Sequence, residues 1–262
     1  MPALHPVSRS RHAGKRWKQP INYSHAQHAH TAPVVFAELP KIVLELPVAF
    51  VADEAGRFST VCLLGIDAGQ NLLVGPDKRW EGTYIPAFFR AFPFRLAATA
   101  EGQRVFCIDE ESGLLSDDKE ALALLNPEGQ LAEATQKIFD LLQQIEQSRV
   151  ATQAMCASLQ KQGLITAWPL TLKTPEGDKS IKGLHRIDED ALNRLEGEAL
   201  AELHRARALP LAYFQLLSMQ HSQGLAERLT QRVRHAAATR AKHDAQLGFI
   251  QDHGSIAIDD LY

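Results

Sequence analysis

Short apolar runs separated by turn residues occupy the first half of the chain. Residues 48–51 and 58–66 are apolar and partly β-branched, and the segment 53–56 between them reads Asp-Glu-Ala-Gly, which favours a turn. These two runs predict a β-hairpin. Further short strands are predicted at 72–74 and 104–109, so we expect the first half to be mainly β-structure.

The second half carries apolar residues at helical spacing. They recur every three or four positions from 131 to 159, which predicts one long amphipathic helix that ends at Gly163. Asp188 stands where the N-cap of a further helix belongs, because its carboxylate can accept a hydrogen bond from a backbone N–H of the first turn. Pro210 suits the first turn of a last helix, which we expect to run toward residue 246.

Two smaller elements complete the predicted fold. Apolar positions between Glu38 and Leu46 recur at three and four, which predicts a short helix that ends before Pro47. Residues 168–172 and 181–187 flank a turn-forming segment and predict a second hairpin. The expected fold class is therefore α+β, with a mainly antiparallel β N-terminal half packed against a helical C-terminal half.

The two ends of the chain differ from its middle. Residues 1–32 are polar and His-rich, with five lysines and arginines and no acidic residue, which predicts an arm that is extended or wrapped over the body. Residues 33–246 are expected to form a single domain, and 247–262 a C-terminal tail.

Composition narrows the class of protein. A hydrophobic content of 45% with 23% charged residues is typical of a globular protein with a sizeable core. A net charge of −3 and the lack of readout motifs argue against nucleic acid as a partner. No apolar run approaches the roughly 20 residues of a membrane span, so the expected location is the cytoplasm. The three cysteines, Cys62, Cys107 and Cys156, lie far apart and are interpreted as reduced thiols.

Residues 80–95, WEGTYIPAFFRAFPFR, form the most unusual stretch, which we call the aromatic ridge. It combines aromatic rings with two prolines and two arginines, which predicts a buried, irregular segment. A guanidinium beside rings can stack and still bind a carboxylate through two hydrogen bonds. Alternatively, Arg90 and Arg95 serve the fold by pairing with an acid such as Asp109 or Glu110. The candidate ligand-binding residues are Trp80, Tyr84, Arg90, Phe94 and Arg95.

The ridge fits the pattern W-x3-Y-x-P-x3-R-x2-P-F, and GIDAGQNLLV, CIDEESG and IKGLHRIDEDALNRL stand around it. On these blocks, from about His5 to about Leu229, the chain resembles the SapC family. That family is largely uncharacterised, bacterial, and named after a surface-layer-associated protein. The resemblance implies a context of TonB-dependent receptors and of halogenase-like and cupin-like proteins. Where the family usually has two adjacent arginines, this chain has Phe89-Arg90.

Two functions are compatible with these features. The first is an accessory or binding protein that recognises a peptide or an aromatic amino-acid-type ligand through the ridge, with a protein or peptide partner or a small aromatic or carboxylate ligand. The alternative is an enzyme that modifies an amino acid or peptide side chain, in a pathway linked to halogenase-like and cupin-like proteins. No nucleophile, zinc, phosphate-loop or dinucleotide motif is present, so no cofactor and no catalytic residue are predicted.

Histidines offer two weaker candidate sites. His25, His28 and His30 could gather on a metal, but they supply imidazoles alone, so no metal is predicted. His185 with Asp188 has the composition of a general base and its orienting acid, yet the same residues suit the end of a hairpin and a helix cap.

Clusters of charge are the last candidates. The acidic segment 109–118 lacks the order of a calcium loop and is interpreted as solvated. On the last helix one face is basic, which fits either a solvated face or an acidic partner. That face holds Arg228, Arg232, His235, Thr239 and Lys242.

Overall fold

The computed structural model describes residues 3–99 and 102–252. Its helices are α1 Arg9–His12, α2 Leu39–Ile42, α3 Ala87–Arg90, α4 Glu133–Lys161, α5 Glu189–Asn193, α6 Gly197–Arg205, α7 Ala208–Ser218 and α8 Ser222–Asp252. Its strands are β1 Leu4–Pro6, β2 Arg16–Trp17, β3 Thr31–Pro33, β4 Val48–Ala52, β5 Phe58–Leu63, β6 Phe94–Ala98, β7 Arg104–Asp109, β8 Leu115–Ser116, β9 Leu122–Ala123, β10 Ile165–Ala167, β11 Leu170–Thr174, β12 Gly177–Ile181 and β13 His185–Ile187. The predicted α+β class is confirmed, with antiparallel sheets in the N-terminal half and long helices in the C-terminal half.

A five-stranded sheet forms the base of the larger part of the molecule. Its strand order is β10-β13-β4-β5-β3, and its neighbours run antiparallel. The predicted first hairpin is confirmed, since β4 and β5 pair from Val48 with Cys62 to Ala52 with Phe58. In the turn, the Asp53 carboxylate accepts hydrogen bonds from the backbone of Ala55 and the backbone and side chain of Arg57.

Helices cover this sheet and bury what we call the large core. It contains Phe50 and Leu63 of the sheet, Leu159 near the end of α4, Leu211 of α7 and Leu225 of α8. Burying each such side chain stabilises the fold by about 1.5–3 kcal/mol. The long helix predicted to end at Gly163 is confirmed as α4, which ends at Lys161.

A second cluster, which we call the small core, lies beside the first half of α4. It consists of Trp17, Phe94, Phe106, Ile108 and Leu124. The Phe94 ring is stacked on Phe106 at 5.2 Å between centroids and meets the edge of Trp17 at 4.9 Å. Two small sheets, in the orders β1-β7-β6 and β8-β2-β9, supply all of these residues except Leu124, which directly follows β9.

The described part of the predicted arm, residues 3–32, crosses the molecule and adds strands to three sheets. β1 pairs with β7, β2 pairs with both β8 and β9, and β3 pairs with β5. Trp17 anchors the middle of the arm, because its ring is buried and its Nε1 donates a hydrogen bond to Thr135 Oγ1 at 3.0 Å. The arm therefore takes part in both cores.

Two element predictions are wrong, each for a local reason. Residues 72–74 form a turn with a single bridge from Val74 to Trp80, because the Asn71 side chain accepts a hydrogen bond from the Leu73 N–H at 2.8 Å and so closes an Asx turn. The helix expected after Asp188 is broken into α5 and α6 before Gly197, whose φ of 56° suits glycine best.

The C-terminal part follows the prediction in outline. The helix that was expected to begin at Pro210 begins at Ala208, and α8 follows it after one turn of 3-10 helix. Residues 247–252 of the predicted tail continue α8, and the remainder of that tail lies outside the described residues. In the described part of the chain, no helix combines the length and the apolar character needed to cross a bilayer.

Candidate functional site

A groove of about 390 Å³ lies between the two cores, and we call it the inter-core groove. One wall is β6 at residues 94–96, the other is the segment 33–35 beside β3, and the middle of α4 forms the floor. Thr152 of α4 holds the second wall in place, because its Oγ1 accepts a hydrogen bond from the Phe36 N–H at 2.8 Å. The groove is therefore shaped by elements that belong to different parts of the sequence.

Arg95 is the main polar group of this groove. Its guanidinium carbon lies 4.2 Å from the centroid of the Phe88 ring, so the planar cation rests on an aromatic face. Burial lowers the pKa of Arg95 from its ordinary value, and the charge of Asp109 offsets part of that effect. Among the described residues, no carboxylate forms an ion pair with this guanidinium and no acceptor takes a hydrogen bond from it.

Two further arginines in the groove share one carboxylate. Glu146 of α4 accepts hydrogen bonds from Arg104 Nε at 3.0 Å and from Arg149 at 2.6 and 2.7 Å. The hydrogen bonds from Arg149 are the main reason why the pKa of Glu146 lies below its ordinary value. With three arginines and two glutamates along its lining, the groove has an excess of positive charge.

Glu38, the second glutamate, is 6% exposed and connects the start of α2 to the aromatic ridge. Its Oε1 accepts hydrogen bonds from the Ala87 N–H at 2.7 Å and the Tyr84 hydroxyl at 3.1 Å, and its Oε2 accepts one from the Val35 N–H at 3.3 Å. Burial, assisted by the Glu38 charge, raises the pKa of Tyr84 to about 12. The buried carboxylate is thus satisfied by three donors, and its role is to position the ridge.

The structure divides the five predicted ligand-binding residues between two surfaces. Phe94 and Arg95 line the inter-core groove, and Phe94 is also part of the small core. Trp80, Tyr84 and Arg90 line a separate, open depression of about 440 Å³. There Arg90 donates a hydrogen bond to the Tyr84 hydroxyl at 3.0 Å.

Asp109 and Glu110, the acids proposed as structural partners of these arginines, are engaged elsewhere. The Asp109 carboxylate accepts hydrogen bonds from the backbone of Ala3 and Glu111. Glu110 forms hydrogen bonds with Arg11 at 2.5 and 2.9 Å and with His12 at 3.2 Å. The proposed pairing of Arg90 or Arg95 with either acid is therefore wrong.

Among the predicted histidine candidates, His25 has a structural role. His25 is stacked on Phe92 at 4.1 Å, and its ring nitrogen lies 3.3 Å from the Phe89 carbonyl, so it braces the ridge; burial lowers its pKa. In residues 3–99 and 102–252, no three His, Cys, Asp or Glu side chains converge as a metal site. Asp188 caps α5 as predicted, accepting a hydrogen bond from the Ala191 N–H at 2.9 Å.

Part of the basic face of α8 is tied to the body of the protein. Arg228 donates a hydrogen bond to Glu45 at 2.7 Å, and Arg232 donates to the backbone carbonyls of Asn71 and Val74. Arg228 therefore fixes α8 against the segment after α2 and Arg232 fixes it against the segment before the ridge, while Lys242 is exposed.

Several residues of the groove were not singled out from the sequence. In the sequence, Glu38 is an acidic residue at the start of a predicted helix, and Arg104 is a polar residue at the start of a predicted strand. Neither position indicates a binding groove. The one available signal was Glu146 with Arg149, an oppositely charged pair at helical spacing beside the apolar stripe of α4.

Comparison with known proteins gives one match. A family model described as SapC matches residues 7–225 of the chain. No curated protein and no solved structure matches it significantly.

Proposed function

The chain belongs to the SapC family, and from that premise we propose that it is an accessory or binding protein for a ligand with a carboxylate and an apolar or aromatic body. The ligand lies in the inter-core groove, with its carboxylate on Arg95. Phe88, whose ring lies under the Arg95 guanidinium, and Phe94 also line the groove.

The free guanidinium of Arg95 is the observation that supports this function. A mostly desolvated cation is costly unless an anion or several hydrogen-bond acceptors compensate it. Elsewhere in the groove, Arg104 and Arg149 share Glu146, whereas Arg95 has no such partner in the described part of the chain. A carboxylate is the matching group, because it can accept two parallel hydrogen bonds from a guanidinium.

The remaining lining supports an apolar body for the ligand. Val34, Val35 and Leu96 form facing walls, and Leu142 and Ile145 form the floor. A volume of about 390 Å³ falls within the range of about 300–1,000 Å³ that is usual for ligand sites. Such a lining favours a ligand whose apolar body contacts these side chains while its carboxylate binds the Arg95 guanidinium.

Calorimetric titration with phenylacetate and its neutral analogue phenylacetamide tests the proposal. We expect the acid to bind and the Arg95→Gln variant to bind it at least about 10-fold more weakly, since a hydrogen bond to a charged group is worth about 1.5–3 kcal/mol. Arg57→Gln is the control for the loss of a cation, because Arg57 is exposed in the β4–β5 turn and lines neither the groove nor the other depression. Equal affinity for the acid and the amide contradicts the proposal.

Trp80, Tyr84 and Arg90 are proposed as a second, weaker contact surface. The buried Trp80 Nε1 has no hydrogen-bond partner among the described residues, and the Arg90 guanidinium supplies a cation to the same depression. If Arg90→Gln loses affinity and Arg95→Gln does not, the ligand occupies this depression and the assignment to the groove is wrong.

A further inference from the structure

The free edge of strand β6 suggests which carboxylates the inter-core groove accepts. We propose that its ligand is the C-terminal end of an extended polypeptide, which adds to β6 as a further strand and places its α-carboxylate on Arg95. This inference rests on the proposed function and narrows the ligand class. It needs three features: an unpaired strand edge, a groove along that edge, and a free cation at one end.

The strand edge follows from the hydrogen bonds of β6. In the sheet β1-β7-β6, β6 is an outer strand. The Asp109 N–H donates to the Pro93 carbonyl at 3.0 Å and the Thr99 N–H to the Gln103 carbonyl at 2.8 Å. Because backbone groups alternate in direction along a strand, residues 95 and 97 also face β7, whereas residues 94, 96 and 98 point away from it.

The inter-core groove runs along that edge. Phe94, Arg95 and Leu96 all line it, although successive side chains of a strand point to opposite faces. Three consecutive residues can line one groove when the groove follows the strand edge. The Phe94 N–H is already bonded to the Ala91 carbonyl at 2.7 Å, so among the described residues the first N–H open to a ligand is that of Leu96.

The opposite wall differs because its N–H groups are occupied. The Val34 N–H donates to the Thr60 carbonyl at 3.1 Å, the Val35 N–H donates to Glu38, and Pro33 has no N–H. An added strand can therefore pair with β6, while the 33–35 wall provides apolar contact for its side chains. This asymmetry fixes which side of the groove binds the peptide backbone.

The charges give the peptide a direction. Ala98 is opposite Arg104 in the β6–β7 register, so Arg104 marks the far end of the edge from Arg95. Ala98 is three positions along the strand from Arg95, which corresponds to about 10 Å. Since Arg104 already shares Glu146 with Arg149, the α-carboxylate has its free partner at the Arg95 end.

Binding of random hexapeptide pools tests the inference directly. One pool carries a free α-carboxylate and the second is amidated at the C-terminus. Each pool is incubated with the full-length protein, and the peptides that the protein retains are identified by mass spectrometry. We expect selective retention from the acid pool and an affinity at least 10-fold lower for the amidated form of a selected peptide. N-methylation of that peptide at successive positions should weaken binding at alternate positions, because alternate amides of an added strand face β6.

Two variants of β6 examine the strand edge. Ala98→Pro removes an outward N–H without removing a bond of the β6–β7 ladder, and we expect weaker peptide binding. Ala97→Ser should bind as the wild type does, because the backbone groups of Ala97 face β7 and Ala97 does not line the groove. In the wild type, hydrogen exchange of the Leu96 and Ala98 amides should slow when the selected peptide is bound. A thermal melt of each variant verifies that the fold is retained.

The outcomes separate this inference from the function on which it rests. If phenylacetate binds through Arg95 but neither peptide pool is retained, the carboxylate site stands and strand addition is wrong. If N-methylation weakens binding equally at every position, or at none, strand addition is also wrong. If neither phenylacetate nor peptide binds, both proposals fall.

Discussion

The two cores of this protein are built in different ways. The large core arises from a hairpin, β4–β5, and from helices that follow one another in the chain. The small core brings together Trp17 of the arm, Phe94 of the ridge and Leu124 of a loop region. Its pieces are distant in sequence, and exposed ion pairs such as Lys15 with Asp117 accompany it at the surface. The comparison indicates that the small core depends on the arm and is the less stable side of the inter-core groove.

Trp17→Ala should have the largest effect. Truncating a buried Trp costs about 3–5 kcal/mol, and the hydrogen bond to Thr135 is lost as well. We expect hydrogen exchange to accelerate in β6 and β7 while β4 and β5 stay protected. Phe50→Ala, in the large core, is the matched variant and should accelerate exchange throughout. Equal acceleration of β4–β5 and β6–β7 in Trp17→Ala contradicts the idea of two unequal cores.

Glu38→Gln should have the next largest effect, because it weakens the link between the large core and the ridge. The variant replaces a charged acceptor of three hydrogen bonds by a neutral amide, which should cost about 1–3 kcal/mol in denaturant-induced unfolding. Glu81→Gln, at an exposed position of the same ridge, should leave the unfolding free energy nearly unchanged. If the two variants are equally stable, Glu38 does not hold the ridge.

Acidification should weaken the small core by a smaller amount. Burial lowers the pKa of His12 below its ordinary value of 6.5, so the unfolded chain takes up the proton first and stability falls as the pH drops through 6.5. The hydrogen bond from Arg11 holds the pKa of Glu110 at about 2, so a second loss follows between pH 4.5 and 2. His25, which is stacked on Phe92 of the ridge, acts in the same direction, because burial also lowers its pKa.

Unfolding measured at pH 7 and pH 5 checks this pH dependence. His12→Asn should reduce the difference between the two values, while His28→Asn, at an exposed position, should not. An unchanged difference in His12→Asn would falsify the role of His12.

Glu146→Gln should have the smallest effect on stability. Partly exposed ion pairs contribute about 0–1 kcal/mol, so unfolding should change little. The change removes a negative charge from the groove, and we expect phenylacetate to bind a few times more tightly. Glu133→Gln, at an exposed position on the same helix, is the control for general charge. Weaker binding of phenylacetate by Glu146→Gln contradicts the electrostatic account of the groove.

Local patterns predicted the elements whose signals are local. The strand at 104–109 was predicted with the bounds that the structure has, because β-branched and aromatic residues follow a glycine turn. The cap at Asp188 and the extent of α4 were also predicted from local signals, namely an N-cap residue and apolar residues at helical spacing. The pairing of β2 was beyond such reasoning, because Trp17 meets Leu115 and Leu122 across about a hundred residues of chain.

The candidate site was predicted in part for related reasons. Its residues Phe94 and Arg95 stand out in composition, yet the ridge turns at α3 and directs Arg90 to another surface. Glu38 and Glu146 acquire their roles from tertiary contacts that no spacing encodes. Whether a ligand binds at these residues stays a prediction that the experiments above test.

Helix α4 has a mechanical consequence for the groove. Its 29 residues span about 43 Å at a rise of 1.5 Å per residue. The small core packs on its first half, the large core on its second, and the groove lies across its middle. The width of the groove is therefore set by helix α4, because both cores pack on this one helix. A ligand that pushes the walls apart must bend α4. Its binding should therefore change the packing at both ends of the helix.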